Sequence, residues 1–348
     1  MAPLWYVGQT VAAGRYRIVS RLGQGTFGEV YLADRLLGGH GVGGQAVLKV
    51  LHPQWIQVPQ VVERFRRESE IGQRIDHPHV ARVFEYGQLE GGVPFIAMEY
   101  LQGRTLRHAL AQGPLPPGRA FALMAAVADA LATAHRAGVV HRDLKPENIM
   151  LVQRGAEQDV PMVLDFGIAK LLDAADRLTA TGAVLGTPVY MSPEQFRGET
   201  NIGPAADVYA LGVLAFEVCT GKPPFAGYSF AELALAHMGQ PAPPLTGVPG
   251  EVAHIVACCL DKTPARRPEA HAVARVLRTV AQRSPLPPSG LLDTVIMNPL
   301  EAATVVGGVS LARRTWVGPG NARFILLSLA LALLLVGLAL VGYFAFRS

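Results

Sequence analysis

Over the first hundred residues, apolar and polar positions alternate in short runs rich in Val, Ile, Tyr and Phe, with glycine- and proline-marked breaks between them. That rhythm predicts strands over 15–22, 28–34, 45–50, 80–86 and 93–100. A loose, glycine-rich connection, LLGGHGVGGQ over 36–45, is expected before the third of these. One helix, 58–75, interrupts the strands. In it Val61, Phe65, Glu68, Gly72 and Ile75 recur at spacings of 4, 3, 4 and 3, which places them on a single face. Beyond Gly103 the period becomes helical, with helices predicted over 117–137, 205–220, 251–260 and 270–282. A strand-rich front and a helix-rich back imply an α+β chain of two lobes with a cleft between them.

The end of the chain follows a different pattern. Residues 324–346, FILLSLALALLLVGLALVGYFAF, carry no charge at all. A helix of that length would extend about 35 Å, enough to cross a hydrocarbon core of about 30 Å with some tilt. Arg313, Arg314 and Arg323 precede it, and a positive flank is expected on the cytoplasmic side. Residues 284–323 are rich in Pro, Gly, Ser and Thr and read as a juxtamembrane linker. The expected organisation is an extension over 1–15, a folded domain over 16–283, the linker over 284–323, a transmembrane helix over 324–346 and a tail at 347–348. MAPLWYVGQT shows no basic region followed by an apolar one, so no signal peptide is expected, nor a domain beyond the membrane.

Composition narrows the picture only a little. Of the 348 residues 50% are hydrophobic and 17% charged, which supports a sizeable core and rules out wholesale disorder. A net charge of +4 is too weak a bias for nucleic-acid binding, and none is expected. Three cysteines, Cys219, Cys258 and Cys259, form neither a disulfide framework nor a metal-ligand spacing.

Candidate chemistry lies at four places. Gly23, Gly25 and Gly28 join two predicted strands in a G-x-G-x-x-G turn. Because no helix follows, a dinucleotide fold is excluded; a glycine-rich hairpin can instead lay bare N–H groups over phosphates. Lys49 stands inside the apolar strand Ala46-Val47-Leu48-Lys49-Val50, and Glu68 is the one acid on its helix face, so the two are expected to pair. Glu63 and Glu70 fall elsewhere on the wheel and are expected in solvent. In His141-Arg142-Asp143-Leu144-Lys145-Pro146-Glu147-Asn148, Asp143 can accept a proton, Lys145 can neutralise phosphate and Asn148 offers oxygen to a hard cation. Asp165-Phe166-Gly167 follows an apolar run and suits a second metal ligand, and Gly186-Thr187-Pro188-Val189-Tyr190-Met191-Ser192-Pro193-Glu194 closes that segment.

Together these motifs resemble the eukaryotic-type (Hanks-type) Ser/Thr protein kinases of bacteria, over about residues 16–282. The resemblance implies a two-lobed kinase fold, with a β-rich N-lobe holding one key helix, an α-helical C-lobe and here a C-terminal transmembrane helix. It implies ATP with Mg²⁺, or Mn²⁺ in its place, and protein substrates bearing Ser or Thr. Residue by residue, Lys49 would contact the α- and β-phosphates with Glu68 holding it, Asp143 would be the base, and Asn148 and Asp165 the metal ligands. Lys145 is what Ser/Thr kinases carry at that position. Leu22, Val30 and Val47 would join the glycines around the nucleotide. Met98 resembles the gatekeeper, and the backbones of Glu99 and Leu101 would meet adenine. Asp207 would brace the catalytic loop, and Glu194 and Arg267 would form a buried pair. Thr179 and Thr181 match sites phosphorylated in bacterial relatives, and Arg142 beside Asp143 is a cation awaiting such a counter-charge. A transient homodimer would serve autophosphorylation in trans. Thr187 would hydrogen-bond Asp143 and help dock substrate. Val47 departs from the usual alanine, and Ser192 from the first residue of APE. The expected location is the inner membrane, single-pass, with the kinase domain in the cytoplasm. The competing readings are a pseudokinase scaffold, which loss of Lys49, Asp143, Asn148 or Asp165 would mark, and a small-molecule kinase, which the 186–194 segment and Asp207 oppose.

Overall fold

Alternating apolar residues build an antiparallel sheet of six strands in the N-lobe. These are β1 (Thr10–Val11), β2 (Tyr16–Gln24), β3 (Gly28–Leu37), β4 (Gly41–Leu51), β5 (Val83–Gln88) and β6 (Pro94–Glu99), in the order β1-β2-β3-β4-β6-β5. The computed structural model describes residues 5, 7–24, 27–37, 41–155, 157–166, 188–227 and 229–284. The predicted membrane span, the tail and all of the linker beyond Ser284 lie outside them, and among the described residues no helix is long and apolar enough to cross a membrane.

Strand alternation gives the sheet two apolar faces. Leu48 and Val50 pack with Tyr31, Ala33, Phe95 and Ala97 on the outer one. Val47 faces the other way, among Leu22, Val30 and Leu32. Within the glycine-rich connection expected over 36–45, residues 36–37 and 41–45 are instead strand: Leu36 pairs with Val42 and Leu37 with Gly41. Glycine is a poor strand former, but Gly44 at φ +94° takes up a register shift between Asp34 and Leu36, a bulge that lets the hairpin continue. The fourth predicted strand, 80–86, begins later, at Val83. Val80 makes only an isolated parallel bridge to Val163 of the other lobe.

Two helices, α1 (Pro53–Ile56) and α2 (Pro59–Gln73), follow β4, each with proline in its first turn, where the missing N–H costs nothing. Helix α2 is the predicted 58–75 element, ending two residues early. Gly72 is dictated by packing, since a Cβ there would lie 2.4 Å from Val83 Cγ2.

The C-lobe contains α3 (Leu106–Leu110), α4 (Pro117–Arg136), α5 (Pro193–Phe196), α6 (Pro204–Thr220), α7 (Phe230–Gly239), α8 (Gly250–Cys259) and α9 (Ala270–Arg283). A three-stranded sheet, β7 (Gly103–Thr105), β8 (Ile149–Arg154) and β9 (Glu157–Val163), lies at its cleft side. Helix α6 is buried from Ala206 to Val218 and forms the centre of the core, with Leu211, Val213, Leu214 and Val218 fully buried. Truncating one of these leucines to alanine costs about 2–5 kcal/mol. Gly212 lets α8 approach, because a Cβ would sit 2.7 Å from that of Cys259. All three cysteines are free.

Candidate active site

The cleft is walled by apolar side chains from both lobes. Leu22, Val30, Leu32 and Val47 of the sheet pack with Tyr100 above it. Below, Leu101 and Leu164 rest on Met150, Val152, Val160 and Met162 of the small sheet. Met98 lies behind, against Leu51, Phe65 and Ile96. The Glu99 side chain turns away from the cleft, accepting from Arg154 Nη2 at 2.9 Å and from the Arg82 N–H at 3.2 Å. Its own N–H is committed to the Arg82 carbonyl, at 2.8 Å. Of the three glycines, Gly23 pairs with Val30, and Gly28 could not be any other residue, since a Cβ would fall 2.0 Å from the Val50 carbonyl oxygen. Gly25 lies outside the described residues, as do Thr179, Thr181 and Thr187.

Lys49 points from β4 into this cleft. Its ammonium donates to Glu68 of α2 at 3.3 Å, as the helix periodicity predicts, and also to Asp165. Burial by itself would lower the Lys49 ammonium. Asp165, and then Glu68, outweigh it and hold Lys49 above the ordinary lysine range. Burial pushes Glu68 up to about 7, opposed by Lys49 and reinforced by Asp165. One cation thus serves two carboxylates, each nine-tenths or so removed from solvent.

The catalytic-loop segment is held from beneath by Asp207, in the first turn of α6. Its carboxylate accepts the N–H of His141 at 2.8 Å, the N–H of Arg142 at 2.7 Å and His135 Nε2 at 2.8 Å. These bonds hold Arg142 at φ +66°, a conformation that costs a non-glycine residue roughly 1 kcal/mol or more. His141 donates from Nε2 to the Leu164 carbonyl at 2.8 Å and packs against Phe166, with centroids 4.7 Å apart. The loop thereby fixes the backbone on both sides of Asp165, which sits at φ +57°.

Around Asp143 the polar groups converge. Lys145 Nζ donates to Asp143 Oδ2 at 2.7 Å, and Asn148 Nδ2 donates to the Asp143 carbonyl at 2.7 Å and to Oδ2 at 3.2 Å. With its amide nitrogen so used, Asn148 has its carbonyl oxygen left to offer. Asp143 is the open member, with its side chain 40% exposed against 15% for Lys145. No cluster of three His, Cys, Asp or Glu exists among the described residues. Asn148 and Asp165 each offer only oxygen, a donor chemistry that would fit a hard cation such as Mg²⁺ better than a thiolate- or imidazole-loving metal.

Arg142 donates from Nη2 to the Ile202 carbonyl at 3.0 Å, while its buried Nε has no partner among the described residues. Glu194 and Arg267 pair in bidentate fashion at 2.7 and 2.9 Å, as the resemblance implied. Pattern reasoning missed a second network altogether. Arg107 of α3 donates to Glu147 at 2.8 Å, to Glu217 at 2.8 Å and to Tyr190 Oη at 2.5 Å, and Tyr190 donates in turn to Glu217 at 2.5 Å. Its members come from four separate segments, so no single window of sequence shows them together.

An apolar cleft, a lysine held between two acids and a clamped Asp–Lys–Asn loop make up the candidate site. The family model for the protein kinase domain matches residues 16–276, and the chain belongs to that family. It is 41% identical over 273 residues to the serine/threonine-protein kinase pkn3 of Myxococcus xanthus, covering 76% of this chain and 49% of that protein. Against the serine/threonine-protein kinase PkaA of Streptomyces coelicolor it is 40% identical over 277 residues, covering 77% and 50%. The chain thus spans about half the length of these relatives. The crystal structure of the Mycobacterium tuberculosis PknI kinase domain superposes with a TM-score of 0.59 at 29% identity, covering 80% of this chain and 99% of that one.

Proposed function

We propose that the chain is a Ser/Thr protein kinase that transfers the γ-phosphoryl group of ATP to protein hydroxyls. The observation that carries this reading is the Asp143 carboxylate, oriented by Lys145 and Asn148 and open to the cleft in which Lys49 stands. In this role Asp143 orients the substrate hydroxyl and takes its proton, while Lys145 beside it offsets negative charge at the transferring group. Lys49 holds the α- and β-phosphates, and Glu68 keeps Lys49 in place. Asn148 and Asp165 hold the divalent cation, which when bound neutralises phosphate charge. Leu22, Gly23, Gly25, Gly28, Val30, Val47, Met98, Glu99 and Leu101 surround the nucleotide. None of Lys49, Asp143, Asn148 and Asp165 is lost, so nothing favours a pseudokinase.

The same proposal extends to regulation and place. The Arg142 Nε, without a partner among the described residues, supports a phosphorylated Thr179 or Thr181 as its counter-charge, reached by transient pairing of two copies. The uncharged run over 324–346 supports a single membrane anchor with the kinase domain on the cytoplasmic side. The test uses the whole chain in membranes. Radiolabelled ATP should phosphorylate protein Ser and Thr and at least one of Thr179 and Thr181, and carbonate should leave the chain in the pellet. Label on small molecules alone would overturn the kinase reading, and release by carbonate would overturn the anchor.

A further inference from the structure

The matched family begins at residue 16, yet Trp5 and residues 7–15 before it are built into the N-lobe. Strand β1 pairs with β2, Gly8 N–H donates to the Ile18 carbonyl at 2.8 Å, and Ile18 N–H donates to Gln9 at 2.9 Å. Ala12, Ala13 and Gly14 all take positive φ to make the turn between the strands, and Val11 and Ala12 are buried beneath it. Two adjacent alanines in the left-handed region persist only where surrounding packing over-determines them. The segment is therefore held, and what it reaches is the back of the glycine-rich hairpin.

Trp5, itself 8% exposed, meets Tyr31 edge-on with centroids 6.1 Å apart. Its backbone N–H donates to Tyr31 Oη at 3.2 Å, and Tyr31 donates onward to Glu29 Oε2. Glu29 accepts from Arg21 Nη1 at 3.1 Å and is 1% exposed. A carboxylate so deeply buried needs each of these donors. Its place in the chain gives the arrangement its meaning. Glu29 follows Gly28 directly and pairs with Gln24, so it is the last rung before the hairpin tip. Its neighbours Gly28 and Val30 face the cleft side, whereas Glu29 and Tyr31 belong to the outer face, which Trp5 covers.

We propose that the N-terminal segment is a strap that positions the glycine-rich hairpin over the nucleotide, acting through Trp5, Tyr31 and Glu29. These are positioning residues; none touches the cleft. The inference rests on the reading of the cleft as an ATP site, so its test has one arm that needs no nucleotide. In the whole chain, deletion of residues 1–9 and Tyr31→Phe are each measured for amide hydrogen exchange, for affinity towards a non-hydrolysable ATP analogue with Mg²⁺, and for KM and kcat. Each variant should exchange faster over 22–30 with β5 and β6 unchanged. Each should weaken the analogue and raise KM for ATP about fivefold, the scale of one buried hydrogen bond, with kcat within about twofold. Because both act through Glu29, the combined variant should be no worse than the worse single one. Unchanged exchange over 22–30, acceleration spread evenly through the N-lobe, or additive effects would overturn the strap. A wild-type chain that fails to bind the analogue would overturn the nucleotide reading, while the exchange result would still decide the strap.

Discussion

Glu194 and Glu68, one in each lobe, both face cations, and they behave in opposite ways. Glu194 in the C-lobe meets Arg267 through two hydrogen bonds, and the same guanidinium also donates to the carbonyls of Asp261 and Ala205, both at 2.8 Å. Burial alone would raise Glu194, yet Arg267 holds it below the ordinary carboxylate range. Glu68 in the cleft has only a share of Lys49, and burial carries it upward. The difference lies in the cations. A guanidinium fork locks a planar carboxylate and has donors to spare, whereas an ammonium is a point charge that can change partners. The C-lobe pair is thus a fixed strut. The cleft pair is an incomplete one, since Asp165 competes with Glu68 for Lys49; in the proposed function a metal would draw on Asp165 and phosphates would fill the gap.

The contrast predicts that cleft substitutions cost chemistry and C-lobe substitutions cost stability. The largest effect should come from Asp143→Asn, which keeps the shape and the hydrogen bonds from Lys145 and Asn148 but cannot take a proton. Transfer to a protein substrate should fall by about 10²- to 10⁴-fold, with the thermal midpoint and nucleotide affinity nearly unchanged. Near-normal turnover in that variant would remove Asp143 from the chemistry.

Next in size is Arg267→Met. It strands Glu194, whose side chain is only 4% exposed, without its cation. Breaking such a pair costs about 3–5 kcal/mol, which should show as a drop of roughly 10 °C in the thermal midpoint. Lys49→Met should cost clearly less stability, because Glu68 can take up a proton near neutrality and the cleft admits water. It should nonetheless abolish transfer. Equal losses of stability in the two variants would erase the distinction between strut and incomplete pair.

Much of this was legible in the sequence because the signals were local or periodic. The Lys49–Glu68 pair follows from one acid on an apolar helix face, and the Asp143 loop from its density of functional groups. Asp165 as a second partner of Lys49 was not legible: it lies 116 residues further on, and only the closing of the two lobes joins them. The Arg107 network escaped for the same reason. Among the elements, β7 and β8 were missed because a three-residue strand and a six-residue one give no period to count, and α7 because its Ala-rich run resembles its surroundings. The two strands of the β3–β4 hairpin are legible, but their extension over 36–37 and 41–44 reads as a loop because glycine suppresses strand propensity, which ladder pairing overrides. The N-terminal segment looked like an extension because nothing in its own pattern shows the outer sheet face it covers.

The smallest predicted effect sharpens the comparison through pH, using one buried group from each region. His237 of α7 lies among Phe196, Phe225 and Tyr209, accepts the Tyr209 hydroxyl at 3.0 Å, and has no partner for Nε2 among the described residues. Burial, aided by the Lys262 ammonium, lowers it to about 3. The unfolded chain binds that proton below about 6.5, the folded one only below about 3, so His237 makes stability fall as pH drops through this window. Glu68 acts in reverse. The folded chain keeps its proton up to about 7 and the unfolded chain loses it near 4.5, so stability falls as pH rises between them. Between pH 5 and 6.5 the two slopes oppose, each contributing about 2 kcal/mol at most. Relative to wild type, Glu68→Gln should therefore gain stability as pH rises across this range. His237→Asn, which keeps an acceptor for Tyr209, should lose it. Denaturant midpoints of the whole chain at pH 5.0, 5.75 and 6.5 would read both trends, and only the change with pH matters, because each substitution also shifts stability by a constant amount. Parallel pH profiles for all three proteins would show that neither group is held in the protonation state its burial imposes, and the opposition of the two regions would fail.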